Sequence, residues 1–157
     1  MICPSIGAPC VSADKAGPDK LSLVLFSGAY DKVHYALAMA AAALASNRMA
    51  TLFFTMGATR ALLAADAGGP GWRDLHPTED GLAPQVADAD LTAKGIGGFE
   101  ELLAACVALG ATVMVCETGL RALGLELSAL RSDVPVMPGG LVSFLADASA
   151  DGAVVFI

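Results

Sequence analysis

Short apolar runs that end in or near glycine alternate with helical stretches along this chain, and that alternation constrains the fold more than any other feature. "LSLVLFSG" (21–28), "MATLFFTMG" (49–57), "ATVMVCE" (111–117), "VPVMPGG" (134–140) and "GAVVFI" (152–157) read as strands buried on both faces. Between them, Asp31 is placed to cap a helix running to about Asn47, and Thr59 begins a shorter one through about Ala65. "FEELLAACVALG" (99–110), a short stretch around 119–130 and "LVSFLADA" (141–148) supply the others. Strand and helix in alternation build βαβ units and a parallel sheet covered on both faces. The expected fold is α/β, a three-layer αβα sandwich on a five-stranded parallel sheet, flavodoxin-like in size. Residues 1–20 read as a flexible N-terminal arm and 21–157 as one domain. Residues 68–98, rich in Gly, Pro and acid, read as one long loop, either a lid or disordered.

The carboxyl edge of such a sheet binds ligands. Gly28, Gly57, Gly119 and the pair Gly139–Gly140 each follow a strand and fall on that edge, as do Cys116, Glu117 and Thr118. They are the candidate lining of a cleft, although a glycine there also serves simply to make a tight turn.

Composition narrows the chemistry. A net charge of −7, with 9 basic residues against 16 acidic, argues against nucleic acid, which needs clustered Lys and Arg. The chain is 55% hydrophobic with a mean hydropathy of +0.63. Even so, no uncharged run reaches the roughly 18–20 residues of a membrane span. The helix "YALAMAAAALA" (35–45) shows no polar face, which points to burial between subunits and a homo-oligomer. No signal peptide marks export, so a cytoplasmic location with free thiols is expected. No cofactor or metal is expected. The chain has no Walker loop, "GIGG" (95–98) follows no strand, and His34 and His76 have no Cys or His at ligand spacing. His34 sits on an apolar helix, where a hydrogen-bonded packing role is expected. Ser27 and Ser143 lack the partners of a triad.

The cysteines separate by position. Cys106 belongs with Phe99, Leu102, Leu103 and Leu109 on one helix face, and should be core. It lies about 6 Å back along its helix, whereas Cys116 lies roughly 16 Å up the following strand. The offset of about 10 Å exceeds the roughly 7 Å Cα separation a disulfide allows. Cys3 and Cys10 lie on the arm and read as incidental. Cys116 ends its strand where a helix begins, so free amides favour a thiolate there and the Glu117 charge opposes it. These residues alone leave a reactive thiol and a buried structural one equally open.

"LSLVLFSGAYDKVHYALAMAAAALASNRMATLFFTMGATRALL", "KGIGGFEELLAACVALGATVMVCETGLRALGL" and "PGGLVSFLADASADGAVVFI" resemble the DsrE/DsrF-like sulfur-relay family, in particular its DsrE-like branch often labelled peroxiredoxin-family. The resemblance spans roughly residues 21–157. It implies a cytoplasmic α/β protein, assembled as a trimer or hexamer, whose cysteine after the third strand takes sulfur as a persulfide. That cysteine matches Cys116. The resemblance further implies a sulfur donor and a small sulfur-carrier protein as partners, in a sulfurtransferase or carrier role. Where the branch carries Ser and Met after the cysteine, this chain has Gly119, Leu120 and Leu123 before Gly124. The alternative is a non-catalytic oligomeric binding protein using the carboxyl-edge cleft for a small ligand or partner.

Overall fold

A computed structural model describes residues 17–157. Cys3 and Cys10 lie outside the described residues. Five strands form one all-parallel sheet in the order β4-β3-β2-β1-β5: β1 (Lys20–Leu25), β2 (Met49–Phe54), β3 (Thr112–Cys116), β4 (Val136–Gly139) and β5 (Ala153–Phe156). The helices are α1 (Tyr30–Ala45), α2 (Pro84–Ala93), α3 (Phe99–Ala108), α4 (Glu117–Ala122) and α5 (Leu141–Asp147). The expected α/β class and parallel five-stranded sheet are what the chain adopts. No helix among the described residues is long and apolar enough to cross a membrane.

Strand order dictates which face each helix covers. The chain steps β1→β2→β3→β4 in one direction, then returns across the sheet to β5 on the far side of β1. Parallel crossovers are right-handed, so helices on the outward steps share one face and the helix on the return step takes the other. Side-chain clustering agrees. Leu23, Leu52, Phe54 and Val113 join α1, α2 and α3 in a large core. Val24, Phe53, Met114 and Cys116 point the opposite way and form a small buried cluster with Phe144 of α5. Among the described residues, the third layer is therefore one helix of seven residues.

Several local expectations are corrected. The α1 N-cap is Ala29 with no side-chain cap, and Asp31 lies in the first turn, where it accepts from the Glu79 amide at 3.2 Å. The segment after β2 is a 3-10 helix, Met56–Leu62. Residues 68–98 contain a 3-10 turn (Gly71–Asp74) and α2. Hydrogen bonds to residues outside it hold this segment. Asp88 Oδ1 accepts from the Tyr30 hydroxyl and from the Phe99 amide, each at 2.6 Å. Burial, reinforced by Asp88, holds the Tyr30 phenol protonated well beyond its ordinary range. Trp72 is buried, stacks on Phe99 at 5.3 Å and donates to Glu100 at 3.0 Å.

Lys20, read as the end of the arm, instead opens β1 and is buried. Its Nζ lies 2.7 Å from Asp147 Oδ2, which also accepts from Thr51 Oγ1 at 2.6 Å. These bonds tie the end of α5 to β1 and β2. Burial alone would raise the Asp147 carboxyl, but the Lys20 and Thr51 hydrogen bonds outweigh it and hold it below its ordinary value. A carboxyl lowered on folding stabilises the fold above its unfolded pKa of about 3.9 and loses that contribution as pH falls through the folded value. Asp147→Ala should therefore cost about 1–3 kcal/mol at pH 7. In urea melts the gap from wild type should shrink as pH falls from 5 towards 2; a constant gap would refute the ion-pair account.

Candidate functional site

A crevice opens on the carboxyl edge wherever neighbouring strands send their helices to opposite faces. In this sheet those strands are β3 and β4: α4 leaves Cys116 towards the large core, and α5 leaves Gly139 towards the other face. Cys116 and Gly139 are direct partners in the ladder. The topology alone thus selects Cys116 and the Gly139–Gly140 turn.

Cys116 is 4% exposed and borders a cavity of about 250 Å³. Its inner wall is Val24 and Thr55, and Thr118 stands at the start of α4. Phe26, Leu141 and Phe156 form the outer wall, where the Phe26 and Phe156 rings lie 5.4 Å apart. Met56 completes it in a left-handed backbone conformation, φ 45°, unusual without glycine. Among the described residues, Cys116 is the only lining residue with an ionisable side chain.

The expected glycines divide into two kinds. A Cβ on Gly57 would sit 2.8 Å from the Gly28 Cα and N, and one on Gly119 would sit 2.7 Å from the Met56 amide nitrogen. These three hold the turns after β1, β2 and β3 in backbone contact, and do not line the cavity. Gly139 is buried against Met114 and Ser143, and Gly140 faces open space. Glu117 is exposed and turns into a separate recess beside Arg121 and Leu125. Of the expected cleft residues, Cys116 and Thr118 line the cavity. Val24, Phe26, Thr55, Met56, Leu141 and Phe156 were missed; their signal was their position in the last residues of an apolar strand or one or two residues beyond it.

Cys106 is fully buried in the large core, where its thiol donates to the Leu37 carbonyl at 3.4 Å and burial pushes it up to about 11. Cys106 and Cys116 belong to separate clusters on opposite faces, so the sheet divides them more decisively than an offset along one face would. Both are free thiols. His34 is buried and donates from Nε2 to the Gly97 carbonyl at 2.8 Å, the packing role expected of it. No residue of 68–98 lines the Cys116 cavity.

No protein-family model and no curated protein matches the chain. Solved structures similar to it include the following two. MTH1491 from Methanobacterium thermoautotrophicum, a protein of unknown function, is 13% identical, with a TM-score of 0.53 covering 88% of this chain and 98% of that one. The ychN protein from E. coli is 19% identical, with a TM-score of 0.50 covering 87% and 97%. At these identities the likeness shows the fold.

The turn glycines make a sharp comparison. Gly57→Ala must displace the Gly28 backbone and should cost about 1–3 kcal/mol. Gly140→Ala has extended backbone and open space, and should stay within about 0.5 kcal/mol of wild type. Equal thermal midpoints for the two variants would show that the turns are not packed this way.

Proposed function

We propose that this chain is a cytoplasmic sulfur-relay protein, which accepts sulfane sulfur on Cys116 as a persulfide and passes it to a small carrier protein. The observation that carries the reading is the placement of Cys116. It ends a buried strand at the switch point, borders a cavity, and is screened by the sheet from the other described thiol. Sulfur relay needs a rigidly held thiolate, an opening for the donor, and no second thiol to collapse the persulfide into a disulfide. In the loading step the Cys116 thiolate attacks the terminal sulfur of a donor R–S–SH. The new S–S bond forms as the old one breaks, R–S⁻ leaves with the electron pair, and the proton stays on the transferred sulfur. The carrier's thiolate then attacks that outer sulfur and Cys116 departs as thiolate.

The small apolar cavity also supports the second reading, a non-catalytic binding protein. Intact-mass measurement after mixing with a sulfane-sulfur donor separates the two. Native protein should gain the mass of one or more sulfur atoms on Cys116, and folded Cys116→Ser should not. Equal gain in the serine variant, or gain confined to Cys3 and Cys10, would overturn the reading.

The relay protein works, in this proposal, as a homo-oligomer, a trimer or hexamer by family resemblance. Support comes from the face that α5 covers. Phe26, Met137, Leu141, Val142, Leu145, Val154 and Phe156 are all exposed there, Val142 to 83% and Phe156 to 68%. Together they present on the order of 800 Å² of apolar surface, about one partner's share of a standard interface. Monomers rarely expose more than a few hundred Å² in one patch. A second copy is the occupant that this uncharged patch fits. Light scattering should give a multiple of the 15.8 kDa chain mass, and Val142→Glu with Leu145→Glu should reduce it to one. A wild-type monomer at micromolar concentration, or an unchanged multiple in the double variant, would overturn this interface.

A further inference from the structure

The walls of the Cys116 cavity discriminate among sulfur donors. Many sulfane-sulfur compounds are anions in their non-reacting part, and an anion entering a small cavity loses hydration that only a cation or several donors can replace. Among the described residues no Lys, Arg or His lines this cavity, and Thr55 and Thr118 offer the side-chain hydroxyls. The nearest basic side chain along α4, Arg121, lies in the separate recess with Glu117. The whole chain carries −7, so its long-range field also opposes anions. Val24, Phe26, Met56, Leu141 and Phe156 offer the opposite environment, apolar and partly aromatic. At about 250 Å³ the space falls below the roughly 300–1,000 Å³ of sites for drug-sized ligands, so its occupant is small.

Resting on the sulfur-relay reading, we infer that the donor is a small organic hydropersulfide, R–S–SH, in which R is uncharged and apolar. R lies between the Phe26 and Phe156 side and Leu141, and its terminal sulfur meets Cys116. The thiolate takes that terminal sulfur, R–S⁻ leaves with the electron pair and is protonated by solvent, and no outside oxidant or reductant enters. Discrimination falls on R alone, because the transferred sulfur is common to every donor of the class.

A matched pair of donors tests this on the full-length protein in its native assembly. Benzyl hydropersulfide and 4-carboxybenzyl hydropersulfide share one reacting group and differ by one remote charge. Sulfur loading on Cys116 is followed by mass spectrometry, and each rate is divided by that donor's rate with a simple thiol such as N-acetylcysteine amide. The normalised rate should favour the benzyl donor by about tenfold or more. Thr118→Lys, at an exposed position on the cavity wall, should shrink that ratio by about tenfold, since an opposite charge at close range compensates the carboxylate. The ratio, unlike either rate, is insensitive to a general change in Cys116 reactivity. Loading by both donors at equal normalised rates, or faster loading by the carboxylated one, would overturn the inference while leaving the relay reading intact. Loading by neither would overturn the relay reading, and this inference with it.

Discussion

Right-handed crossover is the constraint on which the rest of this structure depends. Once the order β4-β3-β2-β1-β5 is set, handedness sends α1, α3 and α4 to one face and leaves the return connection, with α5, to cover the other. Two consequences follow from that one rule. The switch point falls between β3 and β4, beside Cys116. Among the described residues the second face is covered by a single short helix, so apolar strand residues that another α/β domain would bury are left near the surface. Site and bare face share one origin, and for that reason they adjoin.

The cavity beside Cys116 is only as well defined as the turns around it. Here the turns after β1, β2 and β3 are locked backbone to backbone through Gly28, Gly57 and Gly119. Any side chain at these positions would force the turns apart. Met56, pressed against Gly119, adopts a left-handed conformation that a non-glycine residue avoids by roughly 1–2 kcal/mol. Such strain persists only where the surroundings over-determine it. Phe144 stacks on Phe53 at 4.9 Å in the same buried cluster as Cys116, and the Lys20–Asp147–Thr51 cluster fixes the far end of α5. The thiol thus sits in a frame held at both ends.

The fold was legible because its signal is local. Runs such as "LSLVLF" and "ATVMVC" are apolar on both sides, and only a sheet covered on both faces accommodates them. Cys106 was legible for the same reason, through its spacing with Phe99 and Leu103, although Leu109 in that series turns out exposed. What stayed hidden depends on distant partners. "PQVADADLTA" has no strong apolar stripe, and α2 is anchored by Asp88, which accepts from the Phe99 amide at the start of the next helix and from Tyr30, remote in sequence. Lys20 looked like the end of a solvated arm, because Asp147 lies at the opposite end of the chain. The glycines marked the right edge, but spacing cannot tell a glycine that lines a cleft from one that lets two turns touch.

The surplus of apolar residues teaches a related lesson about area. "YALAMAAAALA" looked like the surface most in need of a partner. In the folded chain its larger residues pack against the sheet and α3, and alanines such as Ala42 and Ala45 face outward beside Tyr35. An alanine counts as fully as a phenylalanine in a composition, yet exposes far less surface to water, and the hydrophobic effect follows area. By area, the surplus sits on α5 and β5, in residues scattered through "LVSFL" and "AVVF" that no single window marks as unusual. The outer edges differ as well. β4 carries Pro138, which has no N–H to offer another strand, whereas β5 carries no proline and no charge. Phe26, Leu141 and Phe156 belong to this bare face and to the wall of the Cys116 cavity alike. A partner seated on this face, as the proposed assembly requires, would therefore also set the access to Cys116 through the same three side chains.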